Sequence, residues 1–290
     1  MNLSNRYPSI FECIKEGEKM LQQVHKADAS IDAKLLMRHI LDYDETQLLL
    51  NRHKPIDAVC ESKYYTLIKK RAQGIPLQYL TGYQEFMGLT LSVNEDVLIP
   101  RQDTESLVEE LINQSQMTPF KRGIDIGTGS GCISIALAYY IKDLKMTAID
   151  ISEEALVVAN QNIRQYQLEN RICCLNSNLF EAYTEREKVD LIVSNPPYIS
   201  REEAEGLMVE VIEHEPRRAL TDEEDGLTFY KAISKEAKAY LKDGGTLAYE
   251  IGYNQAQDVV TILEKEGYSQ IQLFKDLAQK DRIVIAKWSR

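Results

Sequence analysis

Cysteine is the first shortage. There are five, at Cys13, Cys60, Cys132, Cys173 and Cys174, an odd number with no C-x-x-C pair. That pattern excludes a disulfide framework and a zinc site, and it suits a reducing compartment. Cys173 and Cys174 fall in an apolar strand pattern and read as packing. Histidine is scarce as well, with four in 290 residues. His214 lies among Glu210, Glu213 and Glu215, but no second histidine or cysteine accompanies it. No metal is therefore expected. His25, His39 and His53 read as helix-surface or core residues. Long apolar runs are missing too. The longest, Ile133 to Ile141, is far short of the roughly 20 residues that a membrane helix needs. Residues 1–10 have neither the basic start nor the apolar centre of a secretory leader. These absences lead to the expectation of a cytoplasmic protein, unattached to membrane. No repeat or low-complexity tract appears, and no serine or cysteine has an identifiable base partner.

Positive charge is also in deficit. Lys and Arg number 34 against 45 Asp and Glu, a net charge of −11. This argues against non-specific adhesion to nucleic acid or to an anionic bilayer. The charge is uneven. Residues 1–80 carry 12 basic and 10 acidic side chains, and the remainder 22 and 35. The first segment is thus the better candidate for touching something anionic.

The chain has room for two domains. Apolar residues recur at helical spacing through residues 1–80: Ile10, Cys13, Ile14 and Leu21, then Leu35, Leu36, Ile40 and Leu41, then a longer stretch from Ile56 to Gln73. A bundle of about four or five helices is expected there. Residues 81–100 alternate as a β-hairpin and read as a linker. It ends in Val97-Leu98-Ile99-Pro100-Arg101 with Asp103, Thr104 and Glu105 close behind. Asp103 or Thr104 is the expected N-cap of the next helix. From residue 101 strands alternate with helices, the pattern of a mostly parallel sheet covered on both faces, and two final strands form a terminal pair.

Two stretches carry the chemistry. The apolar strand Val189 to Val193 is stopped by Ser194-Asn195-Pro196-Pro197-Tyr198. Consecutive prolines fix the backbone and remove donors. Asn195 Oδ1 and the Pro196 carbonyl are both acceptors, suited to holding the two N–H bonds of a planar NH2 group, with Tyr198 stacked on it. Held so, a weakly nucleophilic nitrogen can turn its lone pair towards an electrophile. A rigid turn with Tyr198 as packing is the plain alternative. The second stretch is Asp125-Ile126-Gly127-Thr128-Gly129-Ser130-Gly131. Its glycines let backbone approach a ligand at a helix N-terminus. A dinucleotide fingerprint would need a glycine where Cys132 stands. The leading Asp125 suits a cationic ligand better than a pyrophosphate. Asp150 closes the next strand, 19 residues after Gly131, where an acid can accept both ribose hydroxyls. Asn178 and Leu179 follow the third strand and can meet an adenine. Strand ends bearing Asp125, Asp150, Asn178 and Asn195 fit one cofactor with a nucleoside and a positive charge, S-adenosylmethionine.

These motifs resemble those of class I S-adenosylmethionine-dependent methyltransferases. Tyr79-Leu80-Thr81-Gly82, Val97 to Arg101 with Thr104-Glu105, Glu215-Pro216 with Ala219-Leu220, Asp225-Gly226-Leu227 and Glu250-Ile251-Gly252 narrow the resemblance to the peptide chain release factor glutamine methyltransferases, the PrmC/HemK family. It runs from about Tyr79 to Trp288. The fold it implies is α/β: a Rossmann-like domain with a mostly parallel seven-stranded sheet and a terminal antiparallel pair. A helical substrate-recognition domain (1–80) and a hairpin linker (81–100) precede this catalytic domain (101–290).

The activity implied is N5-methylation of the glutamine in a Gly-Gly-Gln motif of release factors, leaving S-adenosylhomocysteine. By resemblance, Gly127, Thr128, Gly129, Ser130 and Gly131 cradle the methionine part, Asp150 binds ribose, and Asn178 and Leu179 flank adenine. Asn195, Pro196, Pro197 and Tyr198 hold the amide, with Arg101 and Glu105 helping to shape the site. Gln102 and Leu179 depart from the residues common in the family, a proline and an aromatic. A monomer without stable nucleic-acid binding is expected. The rival reading is an amino-methyltransferase for adenine or cytosine, which shares the Asn-Pro-Pro-Tyr chemistry. Against it stand the charge and the absence of an inserted basic, aromatic base-reading region.

Overall fold

A computed structural model describes residues 7–206, 208–276 and 278–289. The reading of residues 1–10 as free of a leader falls largely outside them. The chain divides into two compact units, 1–82 and 83–290.

The first unit is helical: α1 (Ile10–Gln23), α2 (Ala29–Leu41), α3 (Glu45–Asn51), α4 (Ala58–Ala72) and the short α5 (Leu77–Thr81). Its starts are written in the sequence. Ser9 with Glu12, and Asp44 with Gln47, close reciprocal capping boxes, and Asp57 caps α4 through the Val59 and Cys60 amides. Cys13, Leu21, Leu36, Met37, Tyr64 and Ile68 are fully buried together.

The second unit opens with the hairpin β1 (Tyr83–Phe86) and β2 (Leu89–Ser92), which pair antiparallel. The hairpin thus falls within the second unit, whereas the sequence suggests a separate linker. There follow α6 (Gln102–Met117), β3 (Arg122–Ile126), α7 (Cys132–Tyr140), β4 (Lys145–Asp150), α8 (Glu153–Gln165), β5 (Ile172–Asn176) and β6 (Val189–Ser194). Two short helices follow, α9 (Arg201–Ala204), opened by a Ser200–Glu203 capping box, and α10 (Val209–His214). The remainder is α11 (Thr228–Ala237), β7 (Leu241–Glu250), α12 (Ala256–Lys265), β8 (Tyr268–Lys275) and β9 (Asp281–Trp288).

Among the described residues the main sheet has seven strands in the order β5-β4-β3-β6-β7-β9-β8. The first five run parallel, β9 is antiparallel to β7, and β8 is antiparallel to β9. Strand order reverses direction beside β3, so β3 and β6 flank the crevice where an open α/β sheet binds ligands. Ile126 pairs with Ser194 at their tips, which sets the glycine-rich turn beside the Asn195 segment. Buried Ile124, Ile192, Leu247, Tyr249 and Val284 fill one face of the sheet; Leu191, Val193, Ala248 and Ile285 fill the other.

Fully buried Asn162 of α8 fastens the hairpin to this scaffold. Its amide accepts from Ser92 N (2.7 Å) and donates to Ser92 O (3.0 Å) and to Ser130 O in the glycine turn (2.9 Å). Asn162→Leu leaves the buried Ser130 carbonyl and the half-buried Ser92 main-chain groups without this partner. Chemical denaturation is expected to register a loss of about 2–3 kcal/mol.

Candidate active site

The C-terminal tips of β3, β4, β5 and β6 open onto one cavity of about 530 Å³. Gly127, Gly129, Asp150, Asn178, Leu179, Asn195, Pro196 and Pro197 all line it. The structure therefore gathers these expected site residues around a single space. Its opposite wall comes from segments whose role the sequence did not disclose: Val97 and Leu98 after the hairpin, Pro216 to Ala219, and Phe229 at the start of α11.

The turn after β3 is shaped by its glycines. Gly127, Gly129 and Gly131 have φ of 71°, 54° and 82°, left-handed values that L-residues avoid. A Cβ on Gly127 or Gly129 would meet nothing within 4 Å, so open space lies against the backbone there. Gly131 faces inward, where a Cβ would lie 3.1 Å from Ile135 and 3.3 Å from Ala159. Gly127 N and Thr128 N both donate to Ile149 O, tying the turn to β4.

Asp125 sits beneath this turn, fully buried and off the cavity wall. Its Oδ2 accepts from Thr128 Oγ1 (2.7 Å), Ser134 Oγ (2.9 Å) and Ser134 N (3.2 Å). Burial pushes its pKa up to about 6, against the pull of those hydrogen bonds. Among the described residues Oδ1 has no hydrogen-bond partner. A buried carboxylate under a glycine cradle favours a cationic ligand through its field, not by direct contact. Thr128, Ser130 and Gly131 contribute by building the turn, not by lining the cavity.

Asp150, at the tip of β4, accepts one bond at each oxygen, from Gly129 N and from Ser152 N, both at 2.9 Å. Each oxygen keeps a lone pair for a further donor, as a vicinal diol requires. Asn178 is exposed and donates to Glu181 Oε1 (2.8 Å). Leu179 has φ of 49°, a costly left-handed conformation for a leucine, and lines the cavity while packing against the core beneath. These features fit an adenosyl group carrying a charged amino-acid tail.

Behind Asn195 lies a polar cluster. Asn195 Nδ2 donates to Thr104 Oγ1 (3.2 Å), and Thr104 Oγ1 donates to Glu250 Oε2 (2.5 Å). The Tyr198 hydroxyl donates to Glu250 Oε1 (3.2 Å). Glu250 is buried at the end of β7, and burial raises its pKa to about 7 despite Thr104, Tyr198 and the Arg282 charge. Glu250 and Thr104 are the residues that sequence reasoning missed. Both stand in stretches that carry the family resemblance, but nothing local joins them.

Several expectations need correcting. Thr104 and Asp103 are not the N-cap of α6. Arg101 holds that position without a side-chain bond, while Thr104 serves Glu250 and Asp103 pairs with Arg282 (3.2 Å). Arg101 and Glu105, expected to help shape the site, do not line the cavity and are engaged internally. Arg101 Nη2 lies 2.6 Å from buried Glu215 Oε1, and Ile99 N donates to the other oxygen. Glu105 Oε1 accepts from Met87 N (2.6 Å) and so secures the hairpin. Tyr198 does not line the cavity. Its hydroxyl is committed to Glu250, and its ring packs against the core on that side of the sheet.

The main chain of Tyr198 is held tightly as well. Its carbonyl accepts from Gln255 Nε2 (2.8 Å). A Cβ on Gly226, where φ is 77°, would lie 2.4 Å from that carbonyl oxygen. Gly226→Ala must therefore push the Asn195 to Tyr198 segment aside. A stability loss of about 3 kcal/mol is expected from overlap and strain together, with a matching fall in Tm.

Among the described residues no group of three or more His, Cys, Asp or Glu could hold a metal, and no helix is long and apolar enough to cross a membrane. Residues 12–82 match the PrmC N-terminal domain model, and residues 102–229 match the methyltransferase small domain model. The chain is 41% identical over 88% of its length to a release factor glutamine methyltransferase from Clostridium acetobutylicum, of which it covers 90%. It is 44% identical over 89% of its length to the protein of the same name from Fusobacterium nucleatum subsp. nucleatum, covering 73% of it. A methyltransferase crystal structure from Pyrococcus furiosus shares the fold, with a TM-score of 0.51 at 19% identity, over 70% of this chain and 91% of that one.

Proposed function

This chain belongs to the release factor glutamine methyltransferase family, and on that footing we propose that it transfers a methyl group from S-adenosylmethionine to the side-chain nitrogen of the glutamine in a release factor's Gly-Gly-Gln motif. The observation that carries this reading is the polarity at Asn195. With Nδ2 given to Thr104, Oδ1 is left as a free acceptor, and Asn195 and Pro196 both line the cavity.

S-adenosylmethionine, when bound, supplies an electrophilic methyl group. Gly127 and Gly129 make room for its amino-acid part over Asp125, Asp150 takes the ribose hydroxyls, and Asn178 and Leu179 border the adenine. Asn195 Oδ1 and Pro196 O hold the substrate NH2 by both of its hydrogens, which fixes the amide plane and turns the nitrogen lone pair inward. Catalysis then rests on orientation and preorganised dipoles. An amide oxygen is too weak a base to take the proton, which passes to water after the C–N bond forms. Arg101 and Glu105 act at one remove, bracing the cavity's walls. The helical unit 1–82, with its less acidic charge, recognises the substrate protein. Neither metal nor membrane enters this scheme, and the working species is a cytoplasmic monomer.

A labelled-methyl assay offering release factor, DNA and ribosomal RNA in separate reactions tests the reading. Label is expected in the release factor alone. Label in either nucleic acid with none in the protein would replace it by the amino-methyltransferase reading.

A further inference from the structure

Thr104 and Glu250 stand behind Asn195 and away from the cavity lining, yet their hydrogen bonds decide what the cavity sees. An ionised carboxylate can only accept. Two hydroxyls reach Glu250, Thr104 at Oε2 (2.5 Å) and Tyr198 at Oε1 (3.2 Å), so both must donate to it. The single Thr104 proton is thereby committed, and Oγ1 can only accept from Asn195 (3.2 Å). Asn195 must then turn Nδ2 towards Thr104 and Oδ1 away from it. A flipped amide would set its oxygen against a hydroxyl with no proton to give.

We propose that Glu250, acting through Thr104, is a positioning residue that fixes the orientation of the Asn195 amide, and that the ionised carboxylate is the competent form. The inference rests on the proposed function for the use to which that amide is put. Protonated Glu250 can instead donate to Thr104, whose own proton is then free for Asn195. The amide turns over and presents NH2 to the NH2 of the substrate, donor against donor.

Groups facing Glu250 come from every neighbouring element. Asp103 of α6 favours the protonated form, and Arg282 of β9 favours the charged one. Tyr230 of α11 donates to the Glu250 main-chain carbonyl (3.0 Å), and the Cys132 thiol of α7 lies within electrostatic range. Burial outweighs Arg282 and puts the switch at about pH 7.

The test uses the full-length protein labelled with 15N-asparagine and saturated with S-adenosylhomocysteine, with the Asn195 NH2 signals assigned by their loss in Asn195→Ala. Those signals are expected to shift with pH, with a midpoint near 7. The shift should vanish in Thr104→Val and in Glu250→Gln, and return in Thr104→Ser. In methyl-transfer assays Thr104→Val should lower kcat roughly 30-fold with KM little changed, and serine should restore most of it. Asn195 signals that ignore pH in the wild type, or titrate equally in Thr104→Val, would overturn the proposal. The NMR titration present without methylation of a release factor would sink the proposed function and leave the relay standing.

Discussion

Replacing Asn195 by alanine is expected to lower kcat for methyl transfer by about a thousandfold while S-adenosylhomocysteine binds nearly as it does to the wild type. In the proposed mechanism the side chain supplies one of two acceptors for the substrate NH2, and its loss removes both attraction and alignment. Loss of one preorganised partner of this kind costs about a hundredfold to a thousandfold. Cofactor binding survives because Gly127, Gly129 and Asp150 belong to other strand tips. Stability changes little, since the Thr104 hydroxyl keeps its bond to Glu250. Single-turnover kinetics beside a calorimetric titration separates the two effects. Near wild-type turnover in this variant would remove Asn195 from the mechanism.

Asp150→Ala produces the opposite pattern, a defect of cofactor affinity. Two things end together: the proposed acceptance of ribose hydroxyls, and the two 2.9 Å bonds that hold Gly129 N and Ser152 N. Charged hydrogen bonds contribute about 1.5–3 kcal/mol each. The dissociation constant for S-adenosylmethionine should therefore rise roughly a hundredfold or more. At saturating cofactor kcat recovers in large part, because Asn195 and its supporting hydroxyl are untouched. A calorimetric titration of wild type and variant measures the ratio directly, and equal affinities would move the ribose elsewhere on the sheet edge.

Much of the sheet edge was legible in sequence because its signals are local. Val189 to Val193 is a continuous apolar strand, and Pro196-Pro197 can only end it. The three glycines read as a close-approach turn are all left-handed in the structure. Alternation of period two, and of three to four, placed the strands and most helices, and α1, α3 and α4 are also marked by side-chain caps. What stayed hidden is long-range. Thr104 and Glu250 are 146 positions apart, and Arg101 and Glu215 are 114 apart, so no window of sequence relates them. Thr104 looked like a helix cap because local chemistry favours that use; a buried carboxylate from β7 claimed it instead. Tyr198 looked like a stacking ring for the same reason, and its hydroxyl went to the same carboxylate. A tightly spaced motif can be read without its fold, whereas the groups that orient it from behind cannot.

Tandem mass spectrometry of a release factor, after incubation with this protein and S-adenosylmethionine, tests the central claim most directly. The account predicts a gain of one methyl group, located on the side-chain nitrogen of the Gly-Gly-Gln glutamine and absent when Asn195→Ala replaces the wild type. A methyl group found on any other residue, or an unmodified glutamine after prolonged incubation with active wild-type protein, would contradict it.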